Sequence, residues 1–289
     1  MQGEIDQLLV LSSAVNAIAQ KEPLRLPAAQ AKRLRHTEDL AFVDLCKKND
    51  GTVKEPIRFT KLSHWLEDLC NRKISAAWLV WQPQHKSTPS EQTTETYIQP
   101  EHMKVAFAGA TKSWSLIATG PDFTEHWQSS WGQASWGLQD DREKQQNIWQ
   151  VRYDCIQKTD QETPRPTIDM AQEIARLDEV LRAMTTLAGQ LGHGNWSAVF
   201  NKAIDALEGK RGTALPPAIR PPYYAAYPKD AHRLLAAIYN GWVFGGMGSW
   251  NDVVFPTPED QAEYDRLTPE LYQSLCRAIV AVSCSFQRP

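Results

Sequence analysis

The chain has 289 residues and a formal net charge of −3, with 42% hydrophobic and 9% aromatic residues, enough for one large or two ordinary domains whose cores need no covalent staples. Its balanced charge excludes a basic nucleic-acid footprint, and no run approaches the roughly 18 apolar residues of a membrane span. Cys46, Cys70, Cys155, Cys276 and Cys284 are odd in number and scattered, which argues against a disulfide framework or a zinc knuckle and fits a reducing, cytoplasmic setting.

Glu4 and Asp6 precede the apolar run Leu8 to Leu11, the wrong order for a secretory signal. Residues 4 to 20 place Ile5, Leu8, Leu9, Val15 and Ile18 at helical spacing, which predicts an amphipathic helix ending before Pro23. A second helix is expected from Pro27, through Ala31, Leu34, Ala41, Phe42 and Leu45, to the break at Asn49-Asp50-Gly51. Ser63 caps a short third helix with Leu62, Trp65, Leu66, Leu69 and Cys70 on one face.

From Ile74 the period changes. Ile74 to Gln82 reads as a buried strand bounded by Pro83. Residues 84 to 94 read as a loop. Further strands are expected at Tyr97-Ile98, Lys104 to Phe107, Ser113 to Thr119 and Ile148 to Ile156, with the second and third joined as a hairpin through Ala108-Gly109-Ala110. Between them stands a five-residue near-repeat, Gln128-Ser-Ser-Trp131-Gly132 then Gln133-Ala-Ser-Trp136-Gly137, with Trp127 just ahead. Its indoles have two readings: exposed anchors for a partner, or plugs over the sheet.

Residues 158–167 are polar, contain Pro164 and Pro166, and read as a linker. Beyond them the pattern is helical. Thr167 caps a helix carrying Ile174, Leu177, Leu181, Met184 and Leu187, and Asn195 caps the next, with Trp196, Val199, Phe200, Ile204 and Leu207. The Pro- and Tyr-rich stretch from Leu215 to Pro228 reads as a stiff connection pinned by its tyrosines. Asp230 opens a helix with Leu234, Leu235, Ile238 and Trp242. Thr257-Pro258-Glu259-Asp260 and Thr268-Pro269-Glu270 are two further helix starts.

The densest oddity is Gly245-Gly246-Met247-Gly248-Ser249-Trp250-Asn251-Asp252. One reading makes Gly245 and Gly246 a left-handed helix cap, with Trp250 a core plug. The other makes a ligand site, with backbone donors at Gly246 and Gly248 forming an anion nest, Ser249 beside it, Trp250 stacking on the ligand and Asp252 as base or orienter. The phosphate-loop and dinucleotide-fold spacings are absent. So are G-x-S-x-G, H-E-x-x-H and D-F-G. The seven histidines stand singly, so no metal or cofactor is called for.

Gly194-Asn195-Trp196-Ser197, Ala236-Ala237, the run Trp242 to Asp252 and Leu267 to Leu275 carry a resemblance. Residues 168 to 286 look like a small helical domain of uncharacterised bacterial proteins that has no known activity. The resemblance implies a bacterial origin and a domain boundary near residue 165.

The expected fold is α+β: N-terminal helices with a small antiparallel sheet in residues 1–157, the 158–167 linker, and an all-α bundle in 168–289. The expected function is a non-catalytic, cytoplasmic protein-interaction protein, of the immunity, inhibitor or adaptor kind. Its partner is a protein, with no nucleic acid and no membrane, and its anchors are Trp127, Trp131, Trp136, Tyr223 and Tyr224. The alternative is an enzyme or anion-binding protein using Gly246, Gly248, Ser249, Trp250 and Asp252.

Overall fold

The computed structural model describes residues 3–22, 37–44, 58–83, 99–105, 109, 112–133, 149–190, 192 and 194–287. The expected elements at 27–36, 45–51 and 97–98, the loop at 84–94 and Trp136 lie outside the described residues. The fold is α+β.

Four consecutive apolar residues, Leu8 to Leu11, put apolar surface on every side of a helix, and such a helix must be covered all round. Helix α1 (Gly3–Ala19) is covered in that way: every residue from Gln7 to Ala17 is buried. This corrects the expected amphipathic stripe. Its polar residues reach outward to both neighbouring layers. The Asn16 side chain accepts from the Ala77 amide at 2.9 Å and donates to the Ala77 carbonyl at 2.7 Å, while Asp6 accepts from the Tyr239 hydroxyl and Ser13 donates to the Pro222 carbonyl.

Among the described residues six strands form one sheet: β1 (Thr37–Asp44), β2 (Arg58–Phe59), β3 (Ala76–Trp81), β4 (Trp114–Gly120), β5 (Phe123–Gln133) and β6 (Trp149–Thr159), in the order β2-β1-β6-β5-β4-β3. The sheet is mixed rather than antiparallel, because β1 pairs in parallel with β6 while the other neighbours run antiparallel. Strand β1 also replaces the helix expected through Ala41 and Phe42. An apolar run this short satisfies either period, and here tertiary contact decides: the Phe42 ring stacks 4.0 Å from Trp65 and 5.3 Å from Tyr153.

The described part of the Trp near-repeat, residues 128–133, is strand. Trp127 and Trp131 stand four residues apart on β5, so they share one sheet face, and Trp127 is 1% exposed in the core. Glu101–Lys104 is a short helix, α3, where the start of a hairpin was expected, and β4 pairs instead with β3 and β5. Helix α2 (Leu62–Asn71) starts after Lys61 with no side-chain cap, so Ser63 lies inside it, and Cys70 is exposed rather than on the buried face.

The outer edge of β3 would be an open template for another strand. Helix side chains close it, Asn16 at Ala77 and Ser283 Oγ accepting from the Leu79 amide at 2.9 Å. Across the sheet, the carboxylate of Glu125, 1% exposed, receives Arg72 at 2.8 Å and Lys158 at 2.8 Å, tying α2 to β5 and β6.

Four long helices follow: α4 (Met170–Gln190), α5 (Gly194–Leu207), α6 (Lys229–Gly241) and α7 (Pro258–Cys284). The α4 cap is Asp169, whose Oδ1 accepts from the Gln172 amide at 3.1 Å, and not Thr167. The two expected Thr-Pro starts are one helix. Thr257 caps it, and Pro269 lies in its interior. Between the sheet and α4 the chain is extended and bonded on both sides, with the Thr163 amide donating to Thr119 and Thr124 and Arg165 donating to Phe286 O and Asn16 Oδ1. No described helix is long and apolar enough to cross a membrane.

Candidate functional site

Helix α6 ends at Gly241, packed closely against its neighbours: a Cβ there would stand 3.2 Å from Ala203 and 3.4 Å from Leu181, so Ala203 would have to give by a few tenths of an ångström. Val243 and Phe244 then turn into the core, and the glycine stretch turns out of it. Gly245 and Gly246 are not left-handed caps. The positive φ, 82°, belongs to Gly248, the position where a side chain would be strained.

The loop is closed by its own polar groups. Asp252 Oδ2 accepts from the Gly248 amide at 2.6 Å, the Ser249 hydroxyl donates to Gly245 O at 3.2 Å, and the Ser249 and Trp250 amides donate to Gly246 O and Val243 O. Asp252 is thus a loop-closing acceptor, and the Gly248 donor of the expected anion nest is already bonded. Trp250 is fully buried, edge-on to Trp196 and Phe200, with Nε1 donating to Thr268 Oγ1 at 3.0 Å and the Tyr264 hydroxyl donating to its carbonyl at 3.0 Å. Its ring plugs the bundle, enclosed by Trp196, Phe200, Phe255 and Tyr264. Thr268, read in sequence as a helix cap, instead holds this indole.

Asn251 fastens the loop to a residue 149 positions away. Its Nδ2 donates to His102 O at 2.9 Å and its Oδ1 meets His102 Nδ1 at 3.1 Å. Burial lowers the His102 pKa, partly offset by the Asn251 bond, which leaves a neutral ring donating from Nδ1. Next to it, Glu101 Oε1 accepts from Trp81 Nε1 and from the Tyr272 hydroxyl, both at 3.0 Å. The Tyr272 ring is enclosed by Phe244, Trp242, Trp81 and His102 at 5.3 to 6.4 Å. Burial pushes the Tyr272 hydroxyl and the neighbouring Cys276 thiol well above their ordinary ranges, so both stay protonated and the thiol is no nucleophile. Among the described residues no group of His, Cys, Asp or Glu is placed to hold a metal ion.

What remains is the tip. Met247 is fully exposed and Val254 is 80% exposed, flanking the buried Trp250. They are two of the three large hydrophobic residues exposed among the described residues, the third being Ile156 on β6.

The other expected anchors are placed otherwise. Trp127 donates to Glu125 within the core at 3.3 Å, and Trp131 is half-buried against Trp149, their rings 6.1 Å apart. Tyr224 stacks 3.9 Å from His232 at the start of α6, with Arg220 over its ring. Tyr223 has φ 54° in the tight turn before it. His102, Glu101 and Tyr272 carried no signal in the sequence, since each acquires its role from a distant partner. Met247 and Val254 were visible as apolar residues beside glycines, but sequence cannot show that they point outward. No protein-family model, curated protein or solved structure matches the chain.

Proposed function

We propose that the protein is a non-catalytic interaction protein that binds a protein partner through the tip of the glycine loop, with Met247 and Val254 as its anchors. The observation that carries this reading is two solvent-exposed apolar side chains on a loop otherwise fastened at Gly248, Trp250 and Asn251. Exposed apolar surface is useful to a partner when the loop that carries it is already ordered, because little entropy is lost on binding. Sequestration or adaptation of a partner, as in an immunity or inhibitor protein of a bacterial conflict system acting in the cytoplasm, is the proposed role. Nucleic acid is disfavoured as a partner by the net charge of −3.

The test is native co-purification from the host with Met247→Asp/Val254→Asp against the unaltered protein. Both positions are exposed, so the double variant should keep its stability within about 0.5 kcal/mol per site. The unaltered protein should retain one stoichiometric partner and the variant should lose it. A partner held equally by both removes the tip from the interface.

A second expectation concerns the fastening. Asn251→Ala should cost about 1 to 3 kcal/mol, since it leaves His102 Nδ1 and the His102 carbonyl without their partner. Thermal unfolding checks this, and an unchanged midpoint would show that the His102 contact does not order the loop.

A further inference from the structure

Helix α1 is fastened at its two ends by different chemistry. Its C-terminal half is held by Ser13 at Pro222 O, Asn16 at Ala77 and Gln20 at Gln287 O, and none of these groups titrates near neutral pH. At the N-terminal end Glu4 Oε1 accepts from the Ser129 hydroxyl, Asp6 from the Tyr239 hydroxyl, and Gln7 Oε1 from the Tyr153 hydroxyl at 2.7 Å. Glu4 stands apart in this set. It is 1% exposed, and its Oε2 has no hydrogen-bond partner among the described residues; nor has Gln7 Nε2, one turn on.

A buried carboxylate needs donors for both oxygens to replace the water it loses. The groups that face Glu4 do not supply them. Lys112, ahead of β4, attracts the charge, but its ammonium is bonded to Ser129 O at 2.9 Å and Ser130 Oγ at 3.1 Å. Glu101 of α3 repels the charge, and Tyr153 of β6, kept protonated by burial, donates to Gln7. A charged Glu4 must therefore reach water. Unwinding one helical turn is the least costly way to do so: the first four amides of a helix have no intrahelical acceptor, Gly3 is already exposed, and Ile5 is the one large apolar residue that leaves the core. We propose that the first turn of α1, residues 3–6, is a pH-sensitive latch, docked on Ser129 while Glu4 carries its proton and opened in a minority of molecules once Glu4 ionises, with the helix from Ser13 onward staying in place. The docked form is fully favoured below the ordinary carboxyl pKa of 4.5, and that advantage is lost as the pH rises through about 7.

Amide hydrogen exchange of the full chain, corrected for the intrinsic rate at each pH, tests the latch. The amides of Gln7 to Val10 donate to the carbonyls of the first turn, and those of Ser13 to Ala17 serve as the reference. With a pKa of about 7 docked and 4.5 open, the opening constant at Gln7 to Val10 should rise about tenfold from pH 6 to pH 8. These amides should also exchange faster than the reference at both pH values, and Glu4→Gln should abolish the rise. No rise, or a rise that persists in Glu4→Gln, would overturn the latch. So would equal exchange and an equal rise in the two segments, which is the signature of whole-chain unfolding. The unaltered protein alone distinguishes a local from a global response, so the test does not rest on the variant. No outcome depends on Met247 or Val254, and the latch stands or falls apart from the glycine loop.

Discussion

Replacing Trp250 by alanine is expected to lower the unfolding free energy by about 4 kcal/mol, the middle of the range of about 3 to 5 kcal/mol for deleting a large buried aromatic side chain. The ring is fully buried among Trp196, Phe200, Phe255 and Tyr264, so its loss opens a cavity that four neighbouring side chains must fill. The Thr268 hydroxyl, 0% exposed, loses the indole N–H that it accepts. Trp250→Phe separates the two contributions. It keeps most of the ring and removes the hydrogen bond, for an expected cost of about 1 to 2 kcal/mol. Urea unfolding of both variants is the measurement. A cost below about 1 kcal/mol for the alanine variant would mean that Trp250 is not the plug that orders the loop.

Stability is expected to fall by about 3 kcal/mol between pH 4.5 and pH 7 through a single group, Glu4. Burial raises its pKa from 4.5 to about 7, against the smaller opposing effects of the Ser129 hydroxyl and Lys112. In this interval the folded chain holds a proton at Glu4 that the unfolded chain has released, so raising the pH favours unfolding. The full stability is present below the unfolded pKa and the loss is complete once pH passes the folded one.

The geometry agrees with a carboxyl held neutral. Glu4 is 1% exposed, one oxygen meets Ser129, and the other has no partner among the described residues. Glu4→Gln should flatten the pH dependence and stabilise the protein at pH 8 by about 1 to 2 kcal/mol, less than the whole because the amide brings a donor with no acceptor. Parallel stability curves for the two proteins between pH 4.5 and 7.5 would exclude Glu4 as the titrating group.

The glycine loop shows how much of a site can be read without coordinates. Its three glycines, buried tryptophan and closing Asp252 are neighbours in sequence, and their local roles follow from short-range bonds such as Asp252 to the Gly248 amide. Its fastening does not. Asn251 and His102 are separated by 149 positions, and nothing around a solitary histidine announces a partner. The same holds for Thr268. Followed by Pro269, it has the local grammar of a helix start, yet it is an interior residue of α7 that accepts from Trp250.

Local pattern alone determined the elements whose period is unambiguous. The α4 and α6 helices keep a 3.6-residue pattern over several turns, and β3, β4 and β6 combine β-branched or aromatic residues with clear boundaries. Tertiary structure decided the elements whose sequence fits two states or none. Residues 37–44 became a strand because β6 offers a parallel edge and Trp65 a stacking partner for Phe42. Residues 123–133, which include the first half of the tryptophan near-repeat, became β5 between β4 and β6, with Trp127 in the core and Ser129 bonded to Glu4 of α1. Period is a property of neighbouring residues, and sequence carries it. Exposure is a property of what covers a residue, and here the covering residues come from elsewhere in the chain.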